Sequence, residues 1–299
     1  MRHILVIFSV FLLSLNVISC GIDELADKVT GSSSASSSSD GLTGTYQLAT
    51  NDYANGVATD SSGNVYVAGG TKGELDGNTS AGNTDLFVIK YNSSGTKQWT
   101  KQLGSSVRDS ANGITIDSSG NIYVTGMTFG GLDWNTSAGA NDLFVIKYNS
   151  SGTRQWTKQL GSASTDAANG VATDSSGNVY VVGGTKGRLN GISNSGRTDV
   201  FMIKFNSSGT RQWTKPLGTV QNDLANGVSI DSSGNFYVAG VTYKHLDGNT
   251  SAGSADLFVA KYNSSGTKQW TKQLGTSGRD EARGVATDSS GNVYVGGYT

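Results

Sequence analysis

Trp99, Trp156, Trp213 and Trp270 stand 57 residues apart, and the same step joins Gly56, Gly113, Gly170, Gly227 and Gly284 as well as Asp60, Asp117, Asp174, Asp231 and Asp288. A long period kept without one insertion restricts the chain to an array in which a supersecondary unit stacks on copies of itself. In the first copy, four segments read as strands, at residues 56–60, 64–71, 85–91 and 97–103. Each is rich in β-branched and aromatic residues and bounded by turn formers. Ser61-Ser62-Gly63 and Asn92-Ser93-Ser94-Gly95 are short hairpin loops, whereas a longer loop, 72–84, separates the middle strands.

Four antiparallel strands per unit, repeated, describe a β-propeller blade. Residue size supports radial stacking: the first strand carries Gly, Val, Ala and Thr, suited to a crowded axis. The third and fourth carry Leu86, Phe87, Tyr91 and Trp99, suited to the wider gaps near the rim. The sole proline, Pro216, replaces the glutamine found at Gln102, Gln159 and Gln273, which marks the fourth strand as the outer edge. Lys101, Lys158, Lys215 and Lys272 on that strand discourage edge pairing. The expected fold is therefore all-β, a propeller of tandem 57-residue four-stranded blades, four complete plus a partial fifth. The final unit stops after its second strand, which leaves a piece of a longer protein, an open arc, completion by a second copy through the open blade edge, and closure with five blades as alternatives.

Gly-Val-Ala-Thr-Asp-Ser-Ser-Gly-Asn-Val-Tyr-Val, Asp-Leu-Phe-Val-Ile-Lys-Tyr-Asn and Gly-Thr-Lys-Gln-Trp-Thr together resemble the bacterial SBBP repeat. The resemblance runs over residues 46–299. It implies a β-propeller in an extracytoplasmic setting and carries no established reaction.

Met1-Arg2-His3, an apolar stretch over 4–18 and Ser19-Cys20-Gly21 describe a secretory leader. Val17-Ile18-Ser19-Cys20 resembles the lipobox of bacterial lipoproteins, so Cys20, the single cysteine, is the expected lipidation site. The expected organisation is a signal peptide at 1–19, a lipidated cysteine and Ser-rich linker at 20–43, and the repeat domain at 44–299. As a Gly/Ser-type coil the linker would span about 25 Å. The expected location is the bacterial cell envelope, with the lipid in the outer membrane and the body on its periplasmic face or at the cell surface.

Charged residues make 15% of the 299, with a formal net charge of −1 and both signs interspersed. No basic stripe is available to a phosphate backbone, so nucleic acid is not an expected partner. His245 is the only histidine beyond the leader, which leaves no Cys-His pair and a Ser-His-Asp triad resting on one side chain. Asp52, Asp109, Asp166, Asp223 and Asp280 recur just before the first strand and suggest a ring of carboxylates at the channel mouth. This is the feature a hydrolase or lyase of propeller type would use; Asx-turn chemistry is the competing reading. Asp76, Asn78, Ser80 and Asp85 alternate oxygen ligands as calcium loops do, and the pattern recurs at Asp133 and Asp247 but fails at Asn190, Ile192 and Ser193. The same letters form turns, so neither a metal nor a cofactor is expected. Gly95 followed by Trp99 also resembles the tryptophan-docking repeats of quinoprotein dehydrogenases, but identical blades offer no cofactor funnel, and the tryptophans are expected to pack between blades.

The copies differ most in the long loop. Phe129, Trp134, Arg188, Tyr243 and His245 all fall there, and aromatics and arginine dominate binding hot spots. The expected function is a noncatalytic scaffold that binds a protein or glycan through these residues. The alternatives are the propeller enzyme above and a structural fragment of a longer propeller.

Overall fold

The computed structural model describes Ile4–Ile7 and residues 52–299. The expectations for the leader's cleavage site, Cys20 and the Ser-rich linker lie outside the described residues. Four four-stranded antiparallel sheets follow one another along the chain. The first holds β2 (Tyr53–Thr59), β3 (Val65–Thr71), β4 (Asp85–Tyr91) and β5 (Lys97–Leu103). The second holds β6 (Asp109–Ile116), β7 (Ile122–Thr128), β8 (Asp142–Tyr148) and β9 (Arg154–Leu160). The third holds β10 (Asp166–Thr173), β11 (Val179–Thr185), β12 (Asp199–Phe205) and β13 (Arg211–Leu217). The fourth holds β14 (Asp223–Ile230), β15 (Phe236–Thr242), β16 (Asp256–Tyr262) and β17 (Lys268–Leu274). A fifth blade consists of β18 (Glu281–Thr287) and β19 (Val293–Tyr298), with β1 (Ile4–Ile7) paired in parallel along β19.

The turns between first and second strands are built by one aspartate. Asp117 Oδ1 accepts the N–H groups of Ser119 and Asn121, while Oδ2 accepts Asn121 Nδ2 and the Tyr123 hydroxyl. The same set recurs around Asp60, Asp174, Asp231 and Asp288. A side chain that accepts its own turn's amides fixes the hairpin locally, which is why identical letters give identical turns.

Blades meet face to face. Tyr66, Ala68, Leu86 and Val88 of the first pack on Ile122, Val124, Phe144 and Ile146 of the second, and the arrangement repeats down the array. Full burial of such side chains stabilises each junction by about 1.5–3 kcal/mol apiece. The inner strands carry the small residues, as the taper requires: a Cβ on Gly113 would come within 2.9 Å of the Asn169 carbonyl in the next blade. Near the rim the tryptophans bridge neighbours. Trp99 meets Tyr66 edge-on at 6.1 Å, and Gly152, in the next blade's turn, sits so close to the indole that a Cβ would fall 3.1 Å from Trp99 Cε2. Positive φ at Gly152 and this close approach leave no room for another residue.

The first strand is longer than its sequence suggests. β6 starts at Asp109, and a β-bulge between Ala111 and Gly113 makes Asn112 the extra residue. The Asn-Gly pairs therefore mark bulges rather than strand starts, and a bulge re-aims its side chain.

The array is an open arc. Tyr66, Tyr123, Tyr180 and Tyr237 are each at most 1% exposed because the next blade covers them, whereas Tyr294 is 36% exposed. At the other end Val57 is 65% exposed, while its counterparts Ile114 and Val171 are at 8%. A Cβ on Gly284 would meet nothing, in contrast to the glycines at the same position in the four earlier blades.

Candidate functional site

The long loops leave the second strand of each four-stranded blade on the same side of the arc, and each is tied down rather than free. In the second blade Leu132 is fully buried, and its N–H donates to Gln159 Oε1 on the outer strand at 2.9 Å. Gln159 Nε2 donates onward to the Gly130 carbonyl and to Asp142 Oδ2. Gln102 and Gln273 do the same for the first and fourth loops. The next residue of each loop, Asp76, Asp133, Asn190 or Asp247, has positive φ. Asp76 pairs with Lys97 and Thr100, Asp133 with Arg154 at 2.5 Å, and Asp247 with Lys268 and Thr271.

The following position decides which loop is exceptional. It is Gly77, Gly191 and Gly248 in the first, third and fourth loops, all with positive φ, and Trp134 in the second, with φ of 66°. The Trp134 side chain is 101% exposed and buries no surface in exchange for the left-handed backbone. Phe129 of the same loop is 43% exposed. Arg188 and His245 are exposed on the third and fourth loops; His245 Nδ1 accepts the Ser251 N–H at 2.8 Å. Tyr243 is half-buried, with the Arg279 guanidinium 6.0 Å from its ring centre. The five predicted residues thus share a face but are distributed over three blades, and no hydrogen bond, ion pair or ring contact joins any two of them among the described residues.

The oxygen pattern that resembled a calcium loop is spent internally. Asn78 Nδ2 donates to the Leu75 carbonyl, Ser80 Oγ to the Gly82 carbonyl, and Asp85 Oδ2 accepts the Ala81 N–H. Among the described residues no group of three or more His, Cys, Asp or Glu side chains could hold a metal ion.

The carboxylate ring expected at the channel mouth is not there. Asp109, Asp166, Asp223 and Asp280 are the opening residues of the inner strands or lie directly before them, and all four are fully buried under the long-loop face, while Asp52, the fifth, is half-buried with its Oδ1 accepting the Lys72 N–H. Their partners across each junction are Asp85, Asp142, Asp199 and Asp256, also at most 1% exposed. The Asp109 N–H donates to the Thr84 carbonyl at 2.7 Å, which sets it beside Asp85; the same bond recurs from Asp166, Asp223 and Asp280. The 57-residue step showed that these aspartates recur, but not that a second aspartate faces each from the previous blade. Burial pushes the Asp109 carboxyl up, hydrogen bonds from Ser105 oppose that, and the charge of Asp85 adds to the rise, while the Thr128 hydroxyl is spent on the Gly130 carbonyl.

Two further features escaped the sequence reading. Pro216 removes the glutamine that ties the third loop, so Leu189 has no such acceptor and Asp199 no such donor; there Asn194 Nδ2 holds the Thr185 carbonyl and the Ser195 N–H meets Asp199. At the end of the arc Glu281 pairs with Arg279 at 2.7 Å and with Arg283 at 3.0 Å, and Arg283 lies over the Tyr298 ring.

The family model of the SBBP beta-propeller repeat matches residues 47–76, 98–133, 155–190 and 269–299. The chain carries SBBP repeats. Three of the matched SBBP segments begin on an outer strand and run into the next blade, so the sequence repeat crosses the structural junction. The unit containing Pro216 lies between the third and fourth matches. The regulatory protein FlaEY of Caulobacter vibrioides is 26% identical over 279 residues, covering 81% of this SBBP-repeat chain and 29% of its own length. A WD repeat-containing protein of Acanthamoeba polyphaga mimivirus is 25% identical over 257 residues, covering 67% of this chain and 18% of its own length. The chain thus spans less than a third of either relative. Among solved structures, a gluconolactonase from Xanthomonas campestris aligns with a TM-score of 0.47 at 15% identity, covering 82% of this chain and 69% of that one. A glucose dehydrogenase aligns with a TM-score of 0.42 at 12% identity, covering 81% and 78%.

Proposed function

We propose that the chain is an exported, lipid-anchored, noncatalytic scaffold that binds a protein or glycan through its long-loop face. Trp134 carries this reading. A tryptophan in a left-handed conformation where its counterparts are glycine costs about 1–3 kcal/mol, and full exposure returns none of it. Such strain persists where a partner uses the side chain, and an exposed aromatic on a tied loop is a preorganised anchor. The burial of Asp109, Asp166, Asp223 and Asp280 supports the noncatalytic part, because it removes four of the five acidic residues a propeller hydrolase or lyase would have used from contact with substrate.

The test uses the full-length chain and its Trp134→Gly variant, each screened against glycan arrays and envelope proteins. The expected result is at least one ligand lost by Trp134→Gly while the fold is retained. Identical binding profiles, or turnover of a glycan or ester substrate by the wild type, would count against the proposal. Fatty-acid labelling that is lost in Cys20→Ser tests the anchor separately.

A further inference from the structure

The buried aspartate pairs pose a problem of charge. In the first junction Asp85 Oδ2 accepts Ala81 N–H and Gln102 Nε2, both at 2.8 Å, and Asp109 Oδ2 accepts Ser105 N–H at 2.6 Å and Ser105 Oγ at 2.9 Å. The other oxygen of each, Oδ1, is buried without a hydrogen-bond partner. Asp142 and Asp166 repeat this; Asp199 and Asp223 keep the same buried Oδ1 atoms, but Asp199 takes only the Ser195 N–H and has no glutamine donor. The flanking charged residues Lys72, Arg108, Lys186 and Arg197 are exposed, and none forms an ion pair with any of the six carboxyls. Arg108 instead reaches Tyr53. Within each blade the next carboxyl of the belt lies across one threonine: Asp109, Thr128 and Asp142 are directly opposed on neighbouring strands, as are Asp166, Thr185 and Asp199. Two neighbouring buried anions, each with an oxygen that no described protein group satisfies, are disfavoured both by desolvation and by mutual repulsion.

We infer that at each of the first three junctions the two aspartates share a single proton, one carboxyl donating its O–H to the orphaned oxygen of the other. That proton satisfies both buried acceptors at once and leaves one negative charge, held by the amide and hydroxyl donors on Oδ2. The glycine after each outer strand makes the site possible. A Cβ on Gly104 or Gly161 would collide with Oδ1 of Asp85 or Asp142. At the first and third junctions the upward shifts of Asp109, Asp199 and Asp223, each caused first by burial, agree with this arrangement. The fourth junction differs. Burial pushes Asp280 up, but the Thr276 amide and the Thr299 and Thr276 hydroxyls outweigh it and hold the carboxyl below its usual range.

The blades are consequently held together by protons that the unfolded chain does not retain at neutral pH. A folded carboxyl raised above its unfolded value stabilises the protein fully below that unfolded value, and the stabilisation is lost as pH rises through the folded value. When the proton leaves to water, each junction carries two buried charges and weakens.

The test is the thermal midpoint of the full-length chain from pH 5 to pH 9, alongside the triple variant Asp85→Asn, Asp142→Asn and Asp199→Asn, whose amides supply the missing donors permanently. The wild-type midpoint is expected to fall with rising pH. At pH 8 the variant is expected to exceed it by roughly 2–4 °C for each junction, with a flatter profile. An infrared band of a protonated carboxyl at pH 7, present in the wild type and lost in the variant, reads the proton directly even if the variant is less stable. A flat wild-type profile with no such band would overturn the inference. So would a wild-type midpoint at pH 8 raised by added calcium and unmoved in the variant, which would make the pairs cation sites instead.

Discussion

Asn112 Nδ2 reaches out of its own blade and donates to the Ala168 carbonyl of the next at 3.0 Å. The bond exists because Asn112 is the extra residue of a bulge, released from its own ladder and turned toward the neighbour. Asn55, Asn169 and Asn226 hold Ala111, Ala225 and Ala282 in the same way, at 2.9, 2.9 and 2.8 Å. At the fifth repeat the position is Arg283, which turns back onto Glu281.

Removing one clamp therefore weakens one junction. Asn169→Ala leaves the Ala225 carbonyl unpaired in a half-buried seam and is expected to cost about 1–2 kcal/mol. Denaturant unfolding checks this, and the loss should appear as a lower midpoint with broadened cooperativity, since repeat arrays are coupled only through neighbours.

Pro216→Gln is expected to stabilise. It restores the donor that Asp199 lacks and the acceptor that Leu189 N–H lacks, contacts that Gln159 supplies one blade earlier. A gain of about 1 kcal/mol is expected, read as a higher midpoint, with slower amide exchange at Leu189.

Trp134→Gly should raise the thermal midpoint even though it deletes the largest side chain of its loop. The side chain buries nothing, and glycine relieves the left-handed strain at 66°. Set against the added flexibility of glycine in the unfolded chain, the net gain is expected to be up to about 1 kcal/mol. A fall in the midpoint would show that the indole packs on something.

The hairpin aspartate Asp231 bears on the acid limit. Burial pushes Asp231 up, but the side chain and N–H of Asn235, the Tyr237 hydroxyl and the Ser233 N–H together hold it below its usual range. A lowered folded value means that stability is present above the unfolded value and is lost as pH falls through the folded one. Unfolding is therefore expected to set in below about pH 4, the unfolded range of an aspartate. Asp231→Asn, which presents a donor to Tyr237 and Asn235, is expected to cost about 1–2 kcal/mol at pH 7 and to blunt that acid transition. Circular dichroism across the acid range distinguishes the two chains.

The period, the strand count and the outer edge marked by Pro216 are legible in the sequence because each depends on local pattern. The start of the inner strand, read at Gly56, is misplaced because a bulge breaks the local pattern just before that glycine. The placement of Asp109 fails for a different reason: its environment is set by Asp85, which lies in the preceding copy, and alternation along a strand reports a face but not what that face meets. Trp134 stands out in the sequence as an aromatic in a variable loop. Its conformational cost becomes visible only when its backbone is compared with those of Gly77, Gly191 and Gly248.

Because three of the matched segments straddle a seam between blades, three of the four seams are crossed by one repeated stretch of sequence. Unequal recombination that inserts or removes one copy would rejoin an outer strand to a loop it already fits, with its clamp and carboxyl pair intact. Blade number in such a lineage can drift in whole steps under little resistance, while any slip of a few residues would break a seam and be eliminated.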